Sequence, residues 1–90
     1  MATLPLKKYY ESFIKNEIKG MKREPVLKRL GNLLACHVIA KDTPEVVHVR
    51  YFSCDEQYNP RMDRWIGTIA VKFKNGIVID SAVSVPKDKE

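Results

Sequence analysis

The chain has 90 residues, a formal net charge of +5 and a hydrophobic fraction of 44%. This length suits a single domain, and the hydrophobic fraction is that of a globular protein rather than of a disordered chain. No apolar run approaches the roughly 20 residues of a membrane-spanning helix, and residues 1–8 lack the apolar segment of a signal peptide. We therefore expect one cytoplasmic domain over residues 1–90, with no membrane partner.

The first predicted element is a helix that begins at Pro5, a residue suited to the first helical turn, and ends near Gly20. Helical spacing of its apolar residues predicts one buried face, made of Leu6, Tyr10, Phe13, Ile14, Ile18 and Met21. At 100° per residue, four lysines lie within about 40° of one line on the opposite face, namely Lys8, Lys15, Lys19 and Lys22. Glu17 falls in the middle of the apolar face. We expect it to meet a tyrosine, histidine or arginine from the sheet, because an unpaired buried carboxylate is costly.

A short second helix is predicted from Pro25 to Leu30, where Gly31 ends it. Its buried residues would be Val26, Leu27 and Leu30. Lys28 and Arg29 would extend the basic surface of the first helix.

From Asn32 onward, a period of two and many β-branched residues predict four strands, at about 33–40, 45–53, 65–73 and 77–85. The fold class is therefore α+β, with one or two N-terminal helices packed on a four-stranded antiparallel meander. Residues 1–31 form the basic helical part, residues 32–85 the sheet and residues 86–90 a loose tail.

The last hairpin admits two registers. A two-residue Asn75-Gly76 turn would mix charged and apolar residues on both faces of the sheet. A three-residue turn with Gly76 as a left-handed bulge residue would pair Phe73 with Ile77. This second register produces one coherent apolar face and is preferred. It predicts a sheet core of Trp65, Ile69, Val71, Phe73, Ile77, Ile79, Val83 and Val85.

The positive charge is confined to the helical part. Residues 1–31 hold eight basic and three acidic side chains, whereas residues 32–90 hold eight of each. A one-sided basic field attracts polyanions, and nucleic acid is the most common of these in a cell. The alternatives are a lysine-rich face that only keeps the protein soluble, or one that binds an acidic protein.

A long loop from Cys54 to Arg64 is a second candidate, since long loops in compact domains are often functional. Its tyrosine and arginines could stack on bases or bind phosphate, although Asp55, Glu56 and Asp63 favour internal salt bridges. The predicted nucleic-acid-binding residues are Lys8, Lys15, Lys19, Lys22, Lys28, Arg29, Tyr58, Arg61 and Arg64.

The histidines and cysteines suggest no cofactor. A four-residue turn that pairs Ala40 with Glu45 would make His37 and His48 cross-strand neighbours, but no third metal ligand is evident. Cys36 and Cys54 lack the spacing of zinc ligands, and we expect free thiols in a reducing compartment. We predict no metal or other cofactor.

Three functions remain open, because no catalytic motif is present. The first is a non-enzymatic nucleic-acid-binding module. The second is a small protein-interaction or inhibitor domain of viral or mobile-element type, which would use the outer sheet face around Ile39, Val46, Arg50 and Phe52. The third is a small nuclease with His37, His48 and Arg50 as its working groups. A homodimer is expected, since a small sheet has two open edges.

Overall fold

A computed structural model describes residues 6–32 and 36–87. Helix α1 covers residues 6–18 and consists of three consecutive segments: the α-helix Leu6–Tyr9, the π-helix Tyr10–Ile14 and the α-helix Lys15–Ile18. Helix α2 is Arg23–Gly31. The strands are β1 (His37–Asp42), β2 (Val46–Cys54), β3 (Pro60–Lys74) and β4 (Ile77–Ser84). They form one antiparallel sheet in the order β1-β2-β3-β4, which confirms the predicted α+β meander.

The hydrophobic core lies between the helices and one face of the sheet. Its buried members are Tyr10, Ile14, Ile18, Val26, Leu30, Val47, Val49, Tyr51, Ile69, Val71, Phe73 and Val78. The hydroxyl of Tyr51 donates a 2.9 Å hydrogen bond to the Leu30 carbonyl, which attaches the end of α2 to β2. Burial raises the pKa of Tyr51, so this hydroxyl stays protonated and continues to donate.

The π-helical turn explains which side of α1 is buried. The apolar residues Leu6, Tyr10, Ile14 and Ile18 recur every four residues, whereas an α-helix has 3.6 residues per turn and would rotate such a stripe by about 40° per step. A wider π turn counteracts that rotation, and Tyr10, Ile14 and Ile18 are all buried. Phe13 was predicted on the same face of a regular α-helix, but it is 53% exposed.

The segment between the helices pairs with the free edge of β4. Gly20 has a positive φ of 83°, and its amide donates to the Val78 carbonyl at 3.0 Å. The Val78 amide donates to the Met21 carbonyl at 3.0 Å, and the Arg23 amide donates to the Gly76 carbonyl at 3.1 Å. The beginning of β4 is therefore not an open edge.

The predicted register of the last hairpin is wrong. The turn has two residues, Asn75 and Gly76, with φ values of 54° and 77°, and it pairs Phe73 with Val78. The register then shifts by one residue at Ile79, so that further along Ile69 pairs with Val83. This bulge at Ile79 aligns the apolar residues of β3 and β4 on one face, so the turn does not need an extra residue to achieve the same alignment. Consequently Val78 is buried and Ile79 is 51% exposed.

The prediction of a long loop from Cys54 to Arg64 is also wrong, because β3 begins at Pro60. Only residues 55–59 form the connection, and the Asp55 carboxylate organises them by accepting hydrogen bonds from the amides of Gln57 and Asn59, at 2.8 and 2.9 Å. The polar residues 60–64 lack an apolar alternation and therefore gave no strand signal. Both strands thus extend the β2–β3 hairpin.

The first hairpin differs from its predicted register as well. His37 pairs with Tyr51 and His48 pairs with Lys41, with an extra residue at Ala40. His37 therefore lies on the face that carries Tyr51, and His48 lies on the opposite face. The two imidazoles are not neighbours, so the proposed pair does not exist.

Cys36 and Cys54 form a disulfide, with their Cα atoms 5.6 Å apart. The expectation of free thiols is wrong. The bond connects the residue before β1 to the last residue of β2, and the Phe52 amide donates to the Cys36 carbonyl beside it at 3.2 Å.

Candidate nucleic-acid interface

The predicted lysines of the helical part are all exposed, but they do not form one straight stripe. Helix α1 ends at Ile18, so Lys19 and Lys22 lie beyond it, and the π turn separates Lys8 from Lys15. Lys15 and Lys19 do come together, because both line a shallow pocket against β4 that Asp80 and Ser81 also line. The alignment predicted from a regular helix is replaced by a cluster of basic residues at the end of α1.

The lysines and arginines of the chain differ in whether they form ion pairs. Within residues 6–32 and 36–87 there are three ion pairs, and each involves an arginine: Arg23 with Asp42, Arg29 with Glu17, and Arg61 with Asp63. Arg23 also donates to the Thr43 carbonyl at 2.9 Å and lies over the Phe73 ring. In the same ranges, no lysine is in an ion pair. The helical lysines among these residues therefore form no direct ion pair, although Asp80 lines the same pocket as Lys15 and Lys19.

Arg29 connects the two helices. Its guanidinium donates to both carboxylate oxygens of Glu17, at 2.7 and 3.1 Å, and to the Tyr9 hydroxyl at 3.4 Å. The hydrogen bond from Arg29 holds the pKa of Glu17 below its ordinary value. Glu17 thus meets an arginine as expected, but that arginine comes from α2 and not from the sheet. Of the predicted basic contacts, Arg29 and Arg61 are already engaged in ion pairs within the protein, Arg29 with Glu17 and Arg61, at the longer distance of 3.4 Å, with Asp63.

Tyr58, Arg61 and Arg64 lie on the β2–β3 hairpin and are exposed. Tyr58 is 77% exposed and has a φ of 60°, a left-handed conformation that is uncommon outside glycine. Arg61 contacts Asp63 at 3.4 Å in an exposed pair, which is weak in water. The hairpin therefore presents an aromatic ring and two guanidinium groups to solvent.

The sequence did not reveal that the sheet also carries basic residues on one face. Val47, Val49 and Tyr51 of β2 are buried against the helices, so the alternate residues of that strand point to the outer face. The strand register places a set of basic or titratable side chains there: Lys41, His48, Arg50, Lys72 and, by alternation with buried Phe73, Lys74. The residues paired between and beside them are small, namely Thr68, Ala70, Ala82 and Ser84.

The acidic residues of the sheet half are mostly elsewhere. Asp42 lies on the helix side and binds Arg23. Glu45, Asp55 and Glu56 lie in the connections between strands, and Asp63 pairs with Arg61 in the part of β3 near the hairpin end. Asp80 faces Lys72 across the β3–β4 pair. Residues 32–90 have no net charge, but the outer face of their sheet carries more basic than acidic side chains.

One end of the outer face has an arginine against aromatic rings. The Arg50 guanidinium lies 5.4 Å from the Phe52 ring centroid and 5.9 Å from that of Trp65. The Trp65 indole N–H donates to the Thr68 hydroxyl at 2.9 Å, which fixes the orientation of the ring. Sequence alternation had placed Arg50 and Phe52 on this face, but Trp65 had been assigned to the core. An extra residue at Ile66 in β3 moves Trp65 to the partner position of Phe52.

Within the described residues, no group of three or more histidine, cysteine, aspartate or glutamate side chains could hold a metal ion. No helix in those ranges is long and apolar enough to cross a membrane. No protein-family model, curated protein or solved structure matches the chain.

Proposed function

We propose that this protein is a small, non-enzymatic nucleic-acid-binding module, and that the exposed lysines of its helical part contact the phosphate backbone. The observation that supports this is that five lysines of the helical part are exposed and form no ion pair within the described residues, whereas Arg23, Arg29 and Arg61 do form ion pairs. The five are Lys8, Lys15, Lys19, Lys22 and Lys28. Free lysines release condensed counterions when they bind phosphates, and this release drives non-specific affinity.

The predicted residues divide into three roles. Lys15 and Lys19 form the centre of the contact, and Lys8, Lys22 and Lys28 extend it. Tyr58, Arg61 and Arg64 form a second contact on the hairpin, where the ring can stack on a base. Arg29 positions α2 against α1 through Glu17. A cytoplasmic location and a homodimer complete the proposal.

The test measures duplex binding at several salt concentrations by fluorescence anisotropy of a labelled oligonucleotide. The double substitution Lys15→Gln/Lys19→Gln should weaken binding and flatten the salt slope by up to about two units. Its stability should change little, because exposed positions tolerate substitution. The matched control is Lys41→Gln/Lys72→Gln, which removes the same charge from the sheet and should leave duplex affinity near that of the wild type.

Absence of duplex binding by the wild type at low salt would show that the lysines only solubilise the protein. An equal loss in both double variants would point to net charge rather than to a site on the helices.

A protein-interaction function is the second candidate, and exposure at the hairpin favours it. Tyr58 and Met62 are large, exposed and apolar in part, and tyrosine, methionine and arginine are enriched in protein interfaces. The outer face around Ile39, Val46 and Phe52 offers less than expected. Ile39 pairs with Val49 on the helix side of the sheet, and Phe52 is buried. The nuclease hypothesis loses its arrangement, since His37 and His48 lie on opposite faces.

A further inference from the structure

The outer face of the sheet, defined here by Lys41, His48, Arg50, Lys72 and Trp65, carries basic groups that are separate from the helical lysines. We infer that this face binds single-stranded nucleic acid, with phosphates on its lysines and a base stacked on Arg50. The inference rests on the proposed function for the class of ligand, but it concerns a different surface and a narrower substrate.

The arrangement of charge supports an extended polyanion. His48 pairs with Lys41 on one side and with Ala70 on the other, and Lys72 pairs with Val46 next along β2. Basic groups therefore occupy three neighbouring strands, while the one acidic side chain in these rows, Asp80, belongs to the edge strand β4. Lys41 and Lys72 have no ion pair or side-chain hydrogen bond among residues 6–32 and 36–87, so both ammonium groups are available.

The shape of the face supports a single strand over a duplex. Four strands spaced about 4.8 Å apart span roughly 14 Å between the outer strand axes, before side chains are added. The major groove of B-DNA is about 12 Å wide, so the whole face cannot enter it. The small residues Thr68, Ala70, Ala82 and Ser84 leave a low surface on which an unpaired strand can lie, as bases do on sheet platforms.

The Arg50 cluster supports stacking. Phe52 and Trp65 lie against the guanidinium of Arg50, and the bond from Trp65 to Thr68 holds the indole in place. Arg50 itself is exposed, so a base can stack on the guanidinium plane, a contact used in the recognition of single strands. Preorganisation by the two rings lowers the entropy that the arginine loses on binding.

Trp65 is the only tryptophan in the chain, and its fluorescence therefore reports on this face directly. The probe is an oligothymidylate of about 12 nucleotides, within the range that single-strand binding modules cover, titrated at low salt. We expect saturable quenching of Trp65, which a duplex of the same length does not reproduce. Lys41→Gln/Lys72→Gln should raise the Kd at least about fivefold and reduce the salt slope by about 1.4 units.

Two further variants separate the surfaces and the roles. Lys15→Gln/Lys19→Gln should leave the quenching by oligothymidylate close to that of the wild type. Arg50→Lys keeps the charge but removes the planar group. It should weaken binding with an unchanged salt slope. Melting temperatures near that of the wild type verify that each variant is folded.

Unchanged Trp65 emission on addition of oligothymidylate would overturn the inference and leave the face to an acidic protein. Wild-type affinity in the Lys41→Gln/Lys72→Gln variant would overturn it as well. In either case the proposed function stands if duplex binding still depends on Lys15 and Lys19. Both proposals fail together only if the wild type binds neither the duplex nor oligothymidylate.

Discussion

At the scale of single residues, two neighbouring positions decide how β3 turns into β4. Asn75 and Gly76 both have positive φ values, of 54° and 77°, as both central residues of a two-residue type I′ turn require. Asparagine tolerates this region better than most residues, and glycine occupies it without a steric penalty. The Gly76 carbonyl also accepts the amide of Arg23, so the turn helps to hold the beginning of α2.

Gly76→Val should destabilise the protein by more than about 1 kcal/mol, because a β-branched residue is strained at a φ of 77°. No neighbouring atom blocks a Cβ at this position, so the cost would come from backbone strain alone. Gly76→Asn is the matched control and should cost less, since asparagine accepts the left-handed region. Urea unfolding measures both variants. Equal midpoints for wild type and Gly76→Val would contradict the assigned turn.

At the scale of elements, four register shifts shape the sheet, and three of them each arise from a single extra residue. The extra residues are Ala40 in β1, Ile66 in β3 and Ile79 in β4. Each moves the following side chains to the opposite face relative to an unbroken ladder. The shift at Ile66 brings Trp65 beside Phe52, and the shift at Ala40 aligns Lys41 with His48. The outer basic face therefore depends on irregularities and not on regular alternation.

The disulfide acts at the same scale, because it connects β1 to β2 across 18 positions of the chain. Chain-entropy estimates for a loop of this size are about 3 kcal/mol. Cys36→Ala/Cys54→Ala should therefore lower the free energy of unfolding by about 2–4 kcal/mol, as measured in urea without reductant. Dithiothreitol should destabilise the wild type to a similar extent and leave the double variant unchanged.

The bond also bears on the compartment. Disulfides are rare in a reducing cytosol, so the bond and the proposed cytoplasmic location make opposite predictions about the protein in its cell. Thiol alkylation followed by mass measurement of the protein as isolated distinguishes them. A fully alkylated protein whose stability is insensitive to dithiothreitol would mean that the pair is reduced in its working state.

At the scale of the whole molecule, the two edges of the sheet differ. The beginning of β4 is paired with residues 20–23 through backbone hydrogen bonds, whereas β1 pairs only with β2 among the described strands. Ile39 on β1 is 42% exposed. An open edge strand with an exposed isoleucine favours pairing with a second copy, and such pairing would extend the outer basic face into one surface of eight strands.

We therefore predict a dimer through β1. Light scattering after size exclusion should give twice the chain mass of 10.4 kDa, and Ile39→Lys should reduce it to one chain. Ile79→Lys replaces a somewhat more exposed isoleucine, on β4, and should leave the dimer intact. A wild type that elutes as a monomer at every concentration tested would exclude this assembly.

The sequence by itself determined the types and the order of the elements. Apolar spacing of four in residues 6–18 and alternation after residue 36 are local signals, because each depends on the period of one segment. The same is true of the left-handed position at Gly76 and of the charge excess in the helical part, which are properties of composition and local conformation. Of the predicted basic residues, the lysines, Arg61 and Arg64 are exposed and Arg29 is half-buried, in keeping with the rule that charged side chains rarely leave water.

Only the tertiary structure decided which residues meet. A shift of one residue exchanges the two faces of a strand. The residues around Ala40, Ile66 and Ile79 show no sequence pattern that predicts such a shift. The pairing of Cys36 with Cys54, the contact of Glu17 with Arg29 and the separation of His37 from His48 all depend on the positions of distant segments. The same holds for the basic outer face of the sheet. Composition sets the net charge of residues 32–90, whereas the strand register decides which charged side chains share a face.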